Sequence, residues 1–324
     1  MDKLHISQNK YKKIAYFARQ INAIFITVYS PKIVKNKLER LIKQSLFPLT
    51  GKLDKTVAML HQGRSGSTVL GNMLDKHPNI RWGGEIFIPQ LYKIRYQNKS
   101  LDYTNPQKVL RRINEYRKGH FKTNFGFEIK TYDPQSLAWS IHSFLDLIAS
   151  LDHVKFIYLE RKNILKMIVS HLIAYKNYQW HYNKGENIPN TKIYINPQKV
   201  AVDFMEKPLL EMIPFFDNQR NECFDYLSQT PFLHLIYEND ILNDPAIAYN
   251  KVCQFFDVIP SKTTAKLQQI NTKPLSEVIS NFSEVENTLA NTPFFFHTLG
   301  CATTIVICKT LCITQKYCKL YIVV

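Results

Sequence analysis

Residues 61–72 read HQGRSGSTVLGN, and the mostly apolar run TVAMLH (56–61) leads straight into them. A short apolar run that stops at glycine has the length and bounds of a buried strand. Beyond the loop, STVLGNMLDKHP places apolar residues at 69, 70, 73 and 74, a helical spacing that closes at His77-Pro78. Strand, tight loop and helix are therefore predicted in that order. Such a loop aims several backbone N–H groups one way, at the positive end of a helix. Gly63 and Gly66 let the backbone approach a ligand, and Ser65, Ser67 and Thr68 add hydroxyls. Arg64 adds a planar fork suited to phosphate or sulfate. The stretch reads as an anion cradle; a plain helix-capping turn is the alternative.

Working outward, strands and helices alternate. IRWGGEIF is a short strand and bend, FGFEIKTY (125–132) a strand, and PQSLAWSIHSFLDLIASL a helix opened by Pro134. VKFIYLER (154–161) is a strand, and NILKMIVSHLIAYK a helix with Asn163 as cap. Residues 203–229 read as helix with breaks near Pro208 and Pro214, 232–240 as strand and 245–258 as helix. Residues 176–200 are rich in Asn, Tyr and Lys and read as an inserted loop near a site. The alternation predicts an α/β fold: a P-loop-like, three-layer arrangement with a mainly parallel central sheet flanked by helices.

The chain has 324 residues, 45% hydrophobic, with a formal charge of +16. Residues 1–55 hold +9 of that charge and 297–324 hold +3, leaving an ordinary +4 for the middle. The division is thus a basic N-terminal helical extension (1–55), one catalytic-sized domain (56–296) and an atypical tail (297–324). A basic arm suits peripheral contact with an anionic membrane surface, or simple solvation. No nucleic-acid-binding signature accompanies it. No signal peptide or spanning segment is apparent, so the expected location is cytoplasmic, with membrane association through the arm. The tail, rich in Cys, Thr and Ile and free of acids, reads as an end that never evolved to pack, with an added hairpin as the alternative. Cys223 and Cys253 read as buried thiols, and the spacing of Cys301, Cys308, Cys312 and Cys318 lacks a zinc pattern.

The loop departs from the nucleoside-triphosphatase pattern G-x-x-x-x-G-K-[ST]: its glycines are three apart and no lysine follows the second. Strand 154–160 delivers Arg161 at its carboxyl end, and Ser170 follows nine residues later in a helix. One Arg and one Ser can close on a second phosphate beside the first.

GRSGST together with Arg161 and Ser170 resembles the sulfotransferases that use 3′-phosphoadenosine 5′-phosphosulfate (PAPS). The bacterial carbohydrate branch, of the nodulation-factor and trehalose-sulfotransferase type, is the most similar. GRSGSTVLGNMLDKHPNI running into GGEIF, RKNIL, and TKPLSEVISNFSEVENTLANTPF carry that likeness over about residues 56–296. The resemblance implies that Gly63, Arg64, Ser65, Gly66, Ser67 and Thr68 hold the 5′-phosphosulfate. It implies that Arg161 and Ser170 hold the 3′-phosphate, that PAPS is the co-substrate without a metal, and that the acceptor is a carbohydrate or glycolipid. It also implies a base at Glu85. The better-known cytosolic branch has Lys where Arg64 stands, which leaves open whether Arg64 touches the transferring group.

His61 is the second candidate base, Lys130 a candidate charge stabiliser and Lys273 a candidate phosphate contact. The aromatic stretch YKNYQWHYNK (175–184) suits stacking on sugar rings or packing in a loop. Two alternatives stand beside the sulfotransferase. One is a nucleotide or small-molecule kinase of related fold, which would need Mg²⁺ and ATP. The other is a non-catalytic module for anions or membrane surfaces, working through the arm.

Overall fold

The structure, a computed structural model, describes residues 55–97, 103–117 and 122–299. Most of the basic arm and all but the start of the tail lie outside the described residues, as do the four tail cysteines. Among the described residues no helix is long and apolar enough to cross a membrane.

Five strands make the central sheet: β1 (Lys55–His61), β2 (Ile80–Glu85), β3 (Asn124–Lys130), β4 (Val154–Glu160) and β8 (Phe232–Ile236). Their order is β2-β3-β1-β4-β8, and every neighbouring pair is parallel. β1 is thus the middle strand, and the loop that follows it opens at the carboxyl edge of the sheet. That edge is where open α/β sheets bind ligands. Small antiparallel pairs join β5 (Tyr182–Asn183) to β9 (Leu267–Gln268) and β6 (Val200–Val202) to β7 (Met205–Lys207).

Period-two alternation on β1 explains the layers. Ala58 and Leu60 face a core shared with α2 (Ile88–Gln97), α3 (Pro106–Arg117), α5 (Ile141–Ala149) and the end of α7 (Leu209–Leu227). Val57 and Met59 face the opposite core, built with α1 (Ser67–Asp75) and α9 (Pro245–Phe255). A third cluster joins α6 (Ile164–Lys176), the β6–β7 hairpin, the first half of α7, α10 (Leu275–Val278) and α11 (Phe282–Leu289). The expected parallel α/β sheet with helices on both faces is the observed one. Cys223 and Cys253 are buried free thiols, as read.

Three segments differ from expectation. The helix from Pro134 divides into α4 (Asp133–Ser136) and α5. Ala138 turns to φ +64° between them, and the Ser140 side chain caps α5 by accepting from the Ser143 amide. The strand read over 232–240 ends at Ile236 and gives way to α8 (Tyr237–Asp240), because Asp240 Oδ2 accepts the Ile236 amide at 2.7 Å. The start of the stretch read as helix over 203–229 is instead the β6–β7 hairpin turn, and α7 then runs through Pro214 unbroken. Asn163 caps α6 as expected, accepting from the Lys166 amide at 2.9 Å.

Candidate active site

The loop begins at Gln62 and ends where Gly66 enters α1. Gly63, Arg64 and Gly66 all take positive φ, at +82°, +47° and +84°. Gly66 stands at the N-cap position, where no side chain caps the helix. Ser, Thr, Asp or Asn usually fills that place and satisfies a free N–H. Among the described residues the amides of Ser65, Gly66, Ser67 and Thr68 have no hydrogen-bond partner. Helix starts leave such donors for a ligand or water. A Cβ on Gly66 would stand 2.8 Å from Ile241 Cγ2, so only glycine fits both the turn and its neighbours.

The hydroxyls point inward more than expected. Ser65 is fully buried, and its Oγ has no partner among the described residues. Ser67 is buried too, with its hydroxyl on Glu128. Thr68 alone of the three is half-exposed. The Gly63 N–H is engaged by His61 Nδ1 at 3.0 Å.

Arg161 and Ser170 converge on the same loop. Arg161 Nη1 donates to the Arg64 carbonyl at 2.6 Å, and its guanidinium lies 4.6 Å from the Tyr237 ring centre. Arg64 Nε donates to Ser170 Oγ at 3.1 Å, and Arg64 Nη1 to the Trp180 carbonyl at 3.0 Å. The Trp180 ring lies 5.7 Å from the Arg64 guanidinium and edge-on to His171 at 5.0 Å. The turn at 63–68 and the Arg161–Ser170 pair therefore form one continuous cationic surface. Burial, with the Arg161 charge adding to it, lowers the Arg64 guanidinium to about 10. An anion placed between the two arginines relieves that strain.

On the other side of the loop stand the carboxylates. Glu85, the last residue of β2, is 3.3 Å from Lys130 Nζ at the end of β3. Lys130 Nζ is also 3.1 Å from Asp203 Oδ2, and the Tyr132 hydroxyl donates to that same oxygen. Burial works against the Lys130 charge, but Tyr132, Glu85 and Asp203 together raise the ammonium well above the usual lysine range. Burial likewise opposes the Asp203 charge, and Lys130 and then His171 hold it down to about 2. His171 itself is lowered to about 4, chiefly by burial. Glu128 accepts Trp82 Nε1 at 2.6 Å. Burial opposes its ionised form, and the His61 and Trp82 donors outweigh that and keep its carboxyl below the ordinary value.

One oxygen or nitrogen from each of His61, Glu85 and Glu128 lies within 4.8 Å of the others, a spacing that could hold a cation. Two features oppose it. Lys130 already neutralises Glu85. His61 Nδ1 accepts the Gly63 amide, so in the neutral ring Nε2 carries the proton, 3.4 Å from Glu128 Oε2. His61 is wholly buried in this arrangement, the commoner one for a core histidine. Lys273, offered above as a phosphate contact, instead donates to Asn190 at 2.9 Å on the surface.

Tyr132, His171, Asp203 and Glu128 were absent from the sequence reading. Tyr132 sits in a quoted strand and could have been found as a polar residue at a strand's carboxyl end. Asp203 carries no motif, and only the hairpin brings it here.

No protein-family model and no curated protein match the chain. Among solved structures, a sulfotransferase from Alicyclobacillus acidocaldarius matches 75% of this chain and 94% of its own, at 9% identity and TM-score 0.42. The sulfotransferase domain of the Synechococcus PCC 7002 olefin synthase matches 76% of this chain and 87% of its own, at 16% identity and TM-score 0.37. What the fold and site define is an α/β protein with a glycine-bounded loop of unpartnered amides, two arginines and a lysine–carboxylate group at the carboxyl edge of a parallel sheet.

Proposed function

We propose that the chain is a sulfotransferase that moves a sulfuryl group from PAPS to a hydroxyl of a carbohydrate or glycolipid, without a metal. The observation that carries this reading is the meeting of two anion-binding elements at Arg64. Unpartnered loop amides lie on one side, and Arg161 with Ser170 on the other. A doubly phosphorylated nucleotide offers one anionic group to each. The 5′-phosphosulfate belongs on the loop at 63–68, and the 3′-phosphate on Arg161 and Ser170.

The residues act as follows. Glu85 takes the proton of the acceptor hydroxyl as its oxygen bonds to sulfur. The sulfur–oxygen bond to the phosphate breaks, and the pair of electrons leaves on 3′,5′-ADP. Loop amides, Arg64 and Lys130 meet the charge that gathers on the bridging oxygen, which replaces the work of a cation. Trp180 is exposed beside Arg64, and Tyr175 and Tyr178, near it in sequence and also exposed, have rings 6.4 Å apart. Flat exposed rings beside a transfer site suit the faces of sugars. A cytoplasmic setting with the arm on an anionic membrane fits a glycolipid acceptor.

Calorimetry with 3′,5′-ADP tests the reading. Binding should be unaltered by EDTA. Binding of ATP only with Mg²⁺, and none of 3′,5′-ADP, would instead indicate a kinase of related fold. Glu85→Gln should keep the affinity for 3′,5′-ADP and lower turnover by ~10²–10⁴-fold, the usual size of a general-base effect.

A further inference from the structure

The β6–β7 hairpin reaches into the site with a single residue. Val202 pairs with Met205, so Asp203 and Phe204 form a two-residue turn. Asp203 takes φ +52°, the left-handed form that two-residue hairpins need and that Asp tolerates better than most residues. The turn is fastened on both of its residues. The Asp203 amide donates to His171 Nε2 at 3.0 Å, and the Phe204 ring lies 3.5 Å under the Arg95 guanidinium. Arg95 in turn donates to Asp133 and Ser136.

A carboxylate beside an anion site is costly unless it does something there. Among the described residues Asp203 makes no hydrogen bond to the loop at 63–68 or to Arg161, although its charge favours the Arg64 cation. Its contacts are Lys130, Tyr132 and His171. Lys130 Nζ therefore hangs between two carboxylates, 3.1 Å from Asp203 and 3.3 Å from Glu85. Its hydrogen bond goes to Asp203, whereas the pair with Glu85 is an ion pair without one, and the lysine stem faces Gly63.

We propose that Asp203 is a positioning residue, which draws Lys130 partly away from Glu85 and so leaves the Glu85 carboxylate open to the acceptor hydroxyl. This rests on the reading of Glu85 as the base. Without Asp203, Lys130 has one anionic partner and closes on it, and the base is then occupied by a direct ion pair.

Two measurements test the inference. The first is a crystal structure of Asp203→Asn, which does not depend on turnover. The Lys130–Glu85 distance should shorten to about 2.8 Å, the usual length of a charge-assisted bond. An unchanged distance overturns the proposal. Asp203→Gly suits the left-handed turn and is the second variant should Asn fail to fold; the same movement is expected.

The second is kinetics with PAPS and an accepted sugar. Asp203→Asn should lower kcat by ~10-fold, since the expected shift is about half of the ångström that can cost ~10²-fold. The Kd for 3′,5′-ADP should stay within twofold, and Asp203→Glu should recover part of kcat. In a Lys130→Met background the Asp203→Asn change should lose its effect; an equal loss in both backgrounds overturns the proposal. A wild type that binds no 3′,5′-ADP defeats the sulfotransferase reading alone. The movement of Lys130 still decides the role of Asp203.

Discussion

Arg161 holds the Arg64 carbonyl with one guanidinium nitrogen, while the Arg64 side chain reaches Ser170. Arg161→Ala should weaken 3′,5′-ADP binding by ~10–100-fold, since hydrogen bonds to a charged group contribute ~1.5–3 kcal/mol. Calorimetry reads this directly, and an unchanged Kd would remove Arg161 from the site. Gly66 differs in kind. Gly66→Ala puts a methyl against Ile241 and Tyr237 at a positive φ, so it should destabilise the fold by ~1–3 kcal/mol as well as abolish anion binding. Urea unfolding separates the two effects; full stability with lost binding would mean that the turn is not strained. Arg64, Arg161 and Ser170 were legible in the sequence because each has a local marker: a glycine-bounded loop, a strand end, a helix. Asp203 and His171 were not, because their meeting depends on a hairpin packed against a helix far away in sequence. Ser65 and Ser67 were identified as loop hydroxyls, but a pattern of residue types cannot say that they turn inward.

At the level of elements, β3 is tightly constrained at Gly126. A Cβ on Gly126 would lie 2.1 Å from Trp82 Cζ3, so the indole rests directly on the strand backbone. From there Trp82 Nε1 reaches Glu128 on the same strand. Gly126→Ala should displace the ring and cost ~1–3 kcal/mol. Thermal unfolding checks this, and a loss below ~0.5 kcal/mol would show that the ring has room to move. The strands were readable because each buried run ends in a turn signal. The helix expected from Pro134 and the strand expected to Asp240 were misjudged for one shared reason. In each case a polar side chain, Ser140 or Asp240, takes a nearby amide and stops or starts an element that the apolar pattern would have continued.

Over the whole molecule, the buried titrating groups set how acid affects folding. Burial holds His171 and His297 down to about 4, whereas free histidine titrates near 6.5. Their folded values are depressed, so the unfolded chain takes up two more protons as pH falls through this window, and stability is lost. Asp133 works the other way, since burial pushes it up to about 6 and the folded chain takes its proton first. Among the buried groups, two against one leaves about one proton between pH 6 and 4, or ~1.4 kcal/mol of stability lost per pH unit, and the exposed His181, also lowered to about 4, adds in the same direction. Below pH 4 the loss of the Asp203 charge adds to it, because its folded value is about 2. Urea midpoints at pH 7, 6 and 5 should fall in that order; a flat or rising series would contradict the account.

The position of Trp180 has a practical consequence. The chain has three tryptophans. Trp82 is enclosed against Glu128, and Trp139 is tied to the Tyr103 carbonyl. Trp180 is 40% exposed and shares Arg64 with Ser170. Any molecule that recruits Arg64 must disturb one indole and leave two in place. Intrinsic emission thus serves as a gauge of occupancy in the unlabelled protein, and a Trp180→Phe control shows which part of the signal belongs to it.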